Sequence, residues 1–155
     1  MKTIITLQTN FWNTSPSVDL LLNNKIVKQI NEFESDKEKI VSFEEKNTEL
    51  KNELTIRRKG KLLSDTIVSN GNIVKDSLVT VKDIVIDKIS IKPLLHKAIF
   101  FPKYPEPWYT QQKQMKNMPP DSYSYTDILH HNGEWKLQFE LPIHIWFFQN
   151  INVSI

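Results

Sequence analysis

Hydrophobic and polar residues alternate most regularly over residues 134–141, where every second side chain is apolar. Strict period two over this length predicts a strand with one buried face and one face in water. Gly133 supplies the turn before the strand, and Pro142 interrupts its hydrogen-bond ladder afterwards. The apolar run 143–148 is predicted to follow as a second strand that is apolar on both faces.

The stretch 78–91 is rich in β-branched residues, but its apolar phase changes twice. A slip of one residue turns every following side chain to the opposite face of a sheet. We therefore expect a bulge or corner near Lys82 and Asp83, and another near Asp87 and Lys88. Strands that bend in this way are typical of β-sandwiches and jelly rolls.

Two short β-prone runs, 66–68 and 73–74, flank a turn signal at Asn70 and Gly71. Asn-Gly favours a hairpin because both turn positions need a positive φ angle. These two runs are therefore predicted to pair with each other. Three other runs are predicted to be strands, namely residues 3–7, 40–43 and 54–57.

The region 25–53 allows two interpretations. Its charge density is high, and apolar residues between Ile26 and Phe33 recur at helical spacing. The sequence around Asn23 and Asn24 is typical of a hairpin instead, and no capping box opens a helix at Lys25. We favour strands, since the rest of the chain is predicted to be β-structure.

Residues 102–125 differ from the rest of the chain, since they hold five of the eight prolines and all four tyrosines. Loops longer than about 12–15 residues are usually functional or disordered, and aromatic content argues against disorder. We expect a long Pro/Tyr-rich loop, inserted between strands over residues 102–133. The whole chain, residues 1–155, is predicted to be a single all-β domain, an antiparallel β-sandwich of jelly-roll type.

Composition excludes several chemical functions. The chain has no cysteine, which removes disulfides, thiolate metal sites and cysteine nucleophiles. Its three glycines allow neither a nucleophile elbow nor a Gly-rich phosphate loop. We therefore predict a protein that is not an enzyme and has no catalytic residues, no cofactor and no metal.

Charge and hydropathy limit the expected partners. The net charge is +2 and no long block of one sign occurs, so nucleic acid is not an expected partner. The apolar run 145–148 is far shorter than the roughly 20 residues that span a bilayer. A signal peptide has an uninterrupted apolar core, whereas threonine and glutamine interrupt the apolar residues at this N-terminus. We expect no membrane association.

Two groups of titratable residues allow a functional and a structural interpretation. His130 and His131 could converge on a metal, or they could be polar loop residues ahead of a turn, which the absence of zinc-ligand spacing favours. Four aspartates could line a calcium site at the loop ends, or they could be solvated carboxylates of strands and turns. These are Asp65, Asp76, Asp83 and Asp87.

Aromatic side chains of the inserted loop are the candidate binding residues. Tyr104, Trp108 and Tyr109 could form a platform, with Trp12 as a possible addition. Such platforms stack on sugar rings, and protein interfaces are enriched in tyrosine and tryptophan. The rings could instead fold back over an open end of the core. The candidate residues of a protein interface or glycan platform are Tyr104, Trp108, Tyr109, Tyr123 and Tyr125.

Strands and aspartates follow a regular order between residues 54 and 87. The order runs through Leu54-Thr55-Ile56-Arg57, Ser64-Asp65-Thr66, Asn70-Gly71, Asp76 and Val81-Lys82-Asp83-Ile84-Val85-Ile86-Asp87. It resembles the pattern of jelly-roll carbohydrate-binding modules, including calcium-dependent xylan-binding ones. The resemblance implies a β-sandwich, but the Asp/Asn-Gly-rich calcium loop is missing, so metal and sugar ligands are not carried over.

A second resemblance is carried by two segments, Pro102-Lys103-Tyr104-Pro105-Glu106-Pro107-Trp108 and His131-Asn132-Gly133-Glu134-Trp135-Lys136-Leu137-Gln138-Phe139. They resemble small uncharacterised proteins of marine tailed bacteriophages, over residues 54–148. The resemblance implies a non-enzymatic structural protein of a tailed-phage virion, attached to the capsid or tail. Its expected partners are other virion proteins or copies of itself. The alternative function is a carbohydrate-binding module of jelly-roll fold with a cell-surface glycan as its partner.

Overall fold

The computed structural model describes residues 1–47 and 49–151. The first strands are β1 (Lys2–Asn10), β2 (Ser17–Leu22), β3 (Lys25–Ile30), β4 (Lys37–Glu44) and β5 (Lys51–Lys59). They are followed by β6 (Ile67–Ser69), β7 (Asn72–Lys75), β8 (Leu78–Ile86), β9 (Ile89–Ser90) and β10 (Ile99–Pro102). The last strands are β11 (Tyr123–Ser124), β12 (Ile128–Leu129) and β13 (Gly133–Glu140). The helices are α1 (Trp108–Gln114), α2 (Ile143–Ile151) and the 3₁₀ helices Leu63–Asp65 and Lys92–Lys97.

The strands form two antiparallel sheets and a separate hairpin. The five-stranded sheet has the order β12-β8-β1-β4, and β9 also pairs with β8. The six-stranded sheet has the order β11-β10-β13-β5-β2-β3, and β6 pairs with β7 in a two-stranded sheet. This arrangement confirms the predicted antiparallel β-sandwich.

The core lies between the two sheets and is built from alternate side chains of their strands. In β1, Ile5 and Leu7 are fully buried, and in β13 the inward positions are occupied by Trp135 and Leu137. Burying such apolar side chains stabilises the fold by roughly 1.5–3 kcal/mol each. The Trp135 indole also donates a hydrogen bond of 3.0 Å to the carbonyl oxygen of Thr126, so its polar atom is satisfied inside the core.

Most of the strand predictions are confirmed. Residues 25–53 contain β3, β4 and the start of β5, so the helical interpretation is wrong. In the β1–β8 ladder, Thr6 pairs with Asp83 and Leu7 with Val81. Lys82 is therefore the extra residue of a bulge, as the phase change predicts. The second phase change corresponds to a turn at Asp87 and Lys88, whose φ angles are 45° and 70°.

The prediction of a strand over residues 143–148 is wrong, because this segment begins helix α2. An apolar run without alternation does not distinguish a buried strand from a buried helix. Here the helix places Trp146 against Phe139 of β13, with ring centroids 6.3 Å apart. Ile143 is buried beside it, so the end of the core is covered. No helix of residues 1–47 and 49–151 is long and apolar enough to cross a membrane.

The segment 102–133, predicted as a long inserted loop, has some secondary structure of its own. It contains α1 and the two short strands β11 and β12. β11 extends the six-stranded sheet beside β10, and β12 extends the five-stranded sheet beside β8. The insertion therefore borders both sheets on one side of the sandwich.

The opposite side of the sandwich is bounded by β3 and β4, each the last strand of its sheet. Both strands are rich in lysine, with Lys25 and Lys28 in β3 and Lys37 and Lys39 in β4. The Lys28 ammonium lies 3.5 Å from the carbonyl oxygen of Ser42. Lysine side chains thus reach from one sheet towards the other on this side.

Candidate functional site

Three of the predicted aromatic residues come together around Tyr104. Its ring centroid lies 5.6 Å from that of Trp108 and 5.4 Å from that of Tyr109. His131 approaches the same ring edge-on at 4.9 Å. We call Tyr104, Trp108, Tyr109, Tyr123 and His131 the aromatic cluster.

The position of the cluster follows from the ladder between β10 and β13. Pro102 is paired with Gly133, and the next backbone hydrogen bond joins the Lys103 amide to the carbonyl oxygen of Asn132 at 2.6 Å. Tyr104 follows Lys103 and His131 precedes Asn132, so the two rings meet just beyond the end of this ladder. The turn of chain that starts at Pro105 then brings α1, with its two aromatic residues, over Tyr104.

The hydroxyl group of Tyr104 is engaged within the protein. It donates a hydrogen bond of 2.6 Å to the carbonyl oxygen of Pro120 and lies 3.2 Å from the hydroxyl oxygen of Tyr123. Burial, together with the hydrogen bond to Tyr123, raises the pKa of Tyr104 well above its usual range. Tyr104 is thus the centre of a small aromatic core that holds the insertion together. The rings of Trp108 and Tyr109 are half-buried around it.

Tyr125, the fifth predicted residue, lies apart from the cluster. Its side chain is 80% exposed and stacks on His96, with the ring centroids 6.2 Å apart and the planes 8° apart. Trp12 is also elsewhere, since its indole nitrogen donates to the carbonyl oxygen of Asp65 and Lys75 lies over its ring. The structure therefore brings together four of the five predicted aromatic residues. Trp108 and Tyr109 contact the ring of Tyr104, and Tyr123 contacts its hydroxyl group.

An open groove of about 1250 Å³ lies on the outer face of β10, β13 and β5. We call it the sheet groove. α2 contributes Trp146 and Asn150 to its lining, and the second 3₁₀ helix contributes Lys97. The lining from the strands includes Lys51, Glu53, Phe101, Glu134, Lys136, Gln138 and Glu140. Because the groove starts on the outer face of the β10–β13 ladder, the aromatic cluster lies beyond one end of the strands that form its floor.

The sheet groove combines an exposed apolar ring with balanced charges. Phe101 is 43% exposed, and three lysines and three glutamates contribute to the lining. Lys136 lies 3.7 Å from Glu53, and Glu134 lies 3.1 Å from Arg57. The surface therefore offers hydrogen-bonding groups and an apolar face without net charge. Sequence reasoning missed it, because period two shows only that alternate residues of β13 face outward and does not show that the surface is concave.

The aspartates that the sequence suggested as calcium ligands are occupied by hydrogen bonds within the chain. Asp65 accepts from the amide of Leu62 at 2.8 Å and from the side chain of Asn13 at 3.0 Å. Asp76 accepts from the Lys61 ammonium at 2.7 Å and also from two neighbouring donors. These carboxylates fasten the loops that carry them. They do not form an oxygen cage of the kind that calcium needs.

The other two aspartates are also engaged, since Asp83 accepts from the Ser90 hydroxyl at 2.7 Å and Asp87 from the Lys2 amide at 2.8 Å. Across residues 1–47 and 49–151, no three His, Asp or Glu side chains are placed to hold a metal ion. A calcium or zinc site does not fit these residues. His130 and His131 belong to the loop that leads into β13.

Burial is the main cause that lowers the pKa of His131 to about 4, and the neighbouring groups Lys61 and His130 contribute in the same direction. The fold therefore favours the neutral imidazole against Tyr104. Protonation favours the unfolded chain, in which histidine titrates near pH 6.5. The free energy of unfolding therefore falls as the pH is lowered from about 6.5 towards about 4, because the unfolded chain takes up a proton at this histidine before the folded protein does.

We expect His131→Phe to weaken the acid sensitivity of the protein. The phenylalanine keeps a ring against Tyr104 but does not take up a proton. After allowance for solvent screening, the unaltered protein should lose about 1–2 kcal/mol more than the variant between about pH 7.5 and about pH 4.5. Urea unfolding at the two pH values measures the difference. His144→Phe, at an exposed position of α2, is the control, and equal pH dependence of all three proteins would contradict the assignment.

Comparison with known proteins gives a fold but no family. No family model matches the chain, and no curated protein matches it. Its fold is similar to that of the carbohydrate-binding module vCBM60 in complex with galactobiose, with a TM-score of 0.52 and 15% identity over 88% of this chain and 96% of that one. A selenomethionine form of vCBM60, from work that links two families of calcium-dependent carbohydrate-binding modules by circular permutation, gives the same TM-score and identity over 86% of this chain and 88% of that one. The chain thus has a β-sandwich fold that is also found in carbohydrate-binding modules.

Proposed function

We propose that this protein is a non-enzymatic glycan-binding module and that the sheet groove is its binding surface. The observation that carries the proposal is the groove itself, with Phe101 exposed among hydrogen-bonding side chains. A sugar ring has an apolar face and a rim of hydroxyl groups, so it needs both kinds of contact. The fold shared with carbohydrate-binding modules supports the same function.

The dimensions of the groove favour a chain of sugars. Its volume of about 1250 Å³ is above the roughly 300–1,000 Å³ of pockets for small molecules. The groove is open along the sheet, so an internal segment of a polysaccharide could bind in it, and no free chain end would be needed. An oligosaccharide of several units is therefore the expected ligand.

The charges of the groove favour a neutral glycan. Lys51, Lys97 and Lys136 are balanced by Glu53, Glu134 and Glu140. Desolvating a charged sugar would gain no net attraction on such a surface. The side chain of Gln138 is exposed, and its amide group has no hydrogen-bond partner within residues 1–47 and 49–151. Such an amide group is available to bind the hydroxyl groups of a sugar.

We propose that binding here is independent of calcium, unlike that of the families named for the similar structures. The four aspartates that could have supplied oxygen ligands are used in loop hydrogen bonds. A chelator should therefore leave the affinity for a glycan unchanged.

The expected role in a tailed-phage virion stays a prediction. The fold comparisons support the carbohydrate-binding alternative and not the assembly role. Mass spectrometry of purified particles tests the location directly. A glycan-binding module on a particle would bind surface sugars of the host cell. Such a role would be consistent with both the virion location and the carbohydrate-binding function.

We expect Phe101→Ala to weaken binding of neutral oligosaccharides by roughly tenfold, or about 1.4 kcal/mol, because a stacking face is lost. Isothermal titration with galacto- and xylo-oligosaccharides, with and without chelator, measures the change. Ile40→Ala is the matched control, since it removes an exposed apolar side chain from β4 of the other sheet, where Ile40 is 69% exposed.

Two outcomes would contradict the proposed function. One is the absence of binding across a broad panel of neutral polysaccharides. The other is binding that Phe101→Ala and Ile40→Ala weaken to the same extent, which would show that the sheet groove is not the surface involved.

A further inference from the structure

A second concave surface lies at the edge of the five-stranded sheet, away from the sheet groove. It has a volume of about 350 Å³ and is formed by β8, the 3₁₀ helix Lys92–Lys97 and the residues before β12. We call it the edge pocket. Its exposed lining consists of Lys82, Lys92, His96, Tyr125 and Asp127. It shares no lining residue with the sheet groove.

Tyr125 is presented to solvent by a backbone conformation that is unfavourable for tyrosine. Its φ angle is 58°, and its side chain is 80% exposed. A left-handed conformation costs a residue with a Cβ atom about 1–2 kcal/mol. The following residues hold the chain in place, since the Val81 amide donates to the carbonyl oxygen of Asp127 at 2.8 Å. A large ring is thus fixed at the mouth of the pocket without being buried in a core.

The charged groups of the edge pocket are unpaired in the part of the chain that the structure describes. In residues 1–47 and 49–151, the side chains of Lys82, Lys92 and Asp127 make no hydrogen bond and no ion pair. Lys82 is also the bulge residue of β8, and bulges are frequent where a side chain is redirected at a functional site. Two lysines and one aspartate leave the pocket with a positive balance.

We propose that the edge pocket binds an acidic sugar, with one face of the sugar ring against Tyr125 and the carboxylate beside Lys82 and Lys92. An exposed aromatic ring suits the apolar face of a pyranose, and unpaired ammonium groups suit an anion. Asp127 accepts hydrogen bonds from the sugar hydroxyls. Because the sheet groove carries no net charge, the two surfaces select different glycans, and this proposal does not rest on the proposed function.

The test compares two monosaccharide probes that differ only at C6, which is a carboxylate in one and a neutral hydroxymethyl group in the other. Methyl β-D-glucuronide and methyl β-D-glucoside are titrated into the ¹⁵N-labelled full chain, and amide shifts of residues 125–127 are followed. The glucuronide should bind roughly tenfold more tightly than the glucoside, and added salt should reduce the difference. Equal affinities, or shifts confined to residues outside the pocket, would overturn the proposal.

Variants separate the pocket from general surface charge. Lys82→Gln and Lys92→Gln should each weaken glucuronide binding, whereas Lys88→Asn removes a lysine outside the pocket and should not. Asparagine accepts the positive φ of Lys88, which is 70°. Tyr125→Asn removes the ring and also suits the backbone, so its spectrum should show an intact fold and binding should be lost.

The outcomes distinguish this proposal from the proposed function. Phe101→Ala should leave glucuronide binding unchanged while it weakens binding of neutral oligosaccharides. Unchanged glucuronide affinity in Tyr125→Asn and in both lysine variants would overturn the edge pocket and would leave the sheet groove standing.

Discussion

Gly133→Ala is expected to lower the free energy of unfolding by at least about 3 kcal/mol. A Cβ atom at this position would lie 2.3 Å from the carbonyl oxygen of Phe101 and 2.8 Å from the Cα atom of Pro102. Both atoms belong to the backbone of β10, so no side-chain rotation relieves the contact. The φ angle of 146° adds strain for any residue other than glycine. The ladder that leads into the aromatic cluster would have to open.

Gly71→Ala is the matched control. Gly71 also has a positive φ angle, 79°, but a Cβ atom there would meet nothing within 4 Å. Its substitution should cost only the conformational strain, about 1 kcal/mol. Urea unfolding of both variants measures the difference, and equal losses would mean that close approach to β10 is not the reason for the glycine.

Arg58→Ala is expected to cost about 3 kcal/mol or more. The Arg58 side chain is 1% exposed, and it donates hydrogen bonds to the carbonyl oxygens of Ser77 (2.8 Å) and Leu129 (2.6 Å) and to the Ser77 hydroxyl (2.6 Å). Burial lowers its pKa to about 10, against the opposing effect of Asp76 and Asp65. Removing the guanidinium relieves this desolvation, but it takes a donor away from three buried acceptors and leaves a cavity between the sheets.

Arg57→Ala, one residue earlier in β5, is the control. Arg57 is on the outer face and pairs with Glu134 at 3.1 Å and with Asp19 at 3.9 Å. Asp19 retains Lys59 at 2.8 Å when Arg57 is removed. The partly exposed pair with Glu134 contributes about 0–1 kcal/mol, and the buried Asp19 is not left unpaired, so the variant should be nearly as stable as the unaltered protein in the same urea titration. A loss as large as that of Arg58→Ala would contradict the role given to the buried guanidinium.

Much of the sandwich could be predicted because period two and turn chemistry are local properties of the sequence. The hairpin at Asn70 and Gly71 is present, with φ angles of 54° and 79°. The bulge at Lys82 is present because an extra residue restores the inward direction of the apolar side chains after the phase change. These signals needed no knowledge of the neighbouring strands.

The elements that could not be predicted depend on contacts between distant segments. Residues 143–148 are apolar on every face, and only the position of Phe139 makes a helix the better way to bury them. Arg58 stands in a basic cluster with Arg57 and Lys59, yet it continues the inward phase of Ile56. Its acceptors are remote in sequence, so nothing near it indicates a buried guanidinium.

The convergence of the predicted aromatic residues was anticipated in part, and their role in binding stays a prediction. Tyr104, Trp108 and Tyr109 converge because they are close in sequence and a short helix folds them together. Tyr125 does not join them, since it has a positive φ angle and stacks on His96 instead, and composition shows neither feature. The sheet groove was missed because curvature is a property of paired strands.

The two lysine-rich outer strands, β3 and β4, affect how copies of the protein associate at high concentration. A strand at the margin of a sheet can recruit another molecule through its unpaired backbone groups, and closely spaced ammonium groups oppose this. Here four lysines occupy the two margins that the insertion does not cover. We therefore expect copies that stand side by side at high density to resist strand pairing at these two margins.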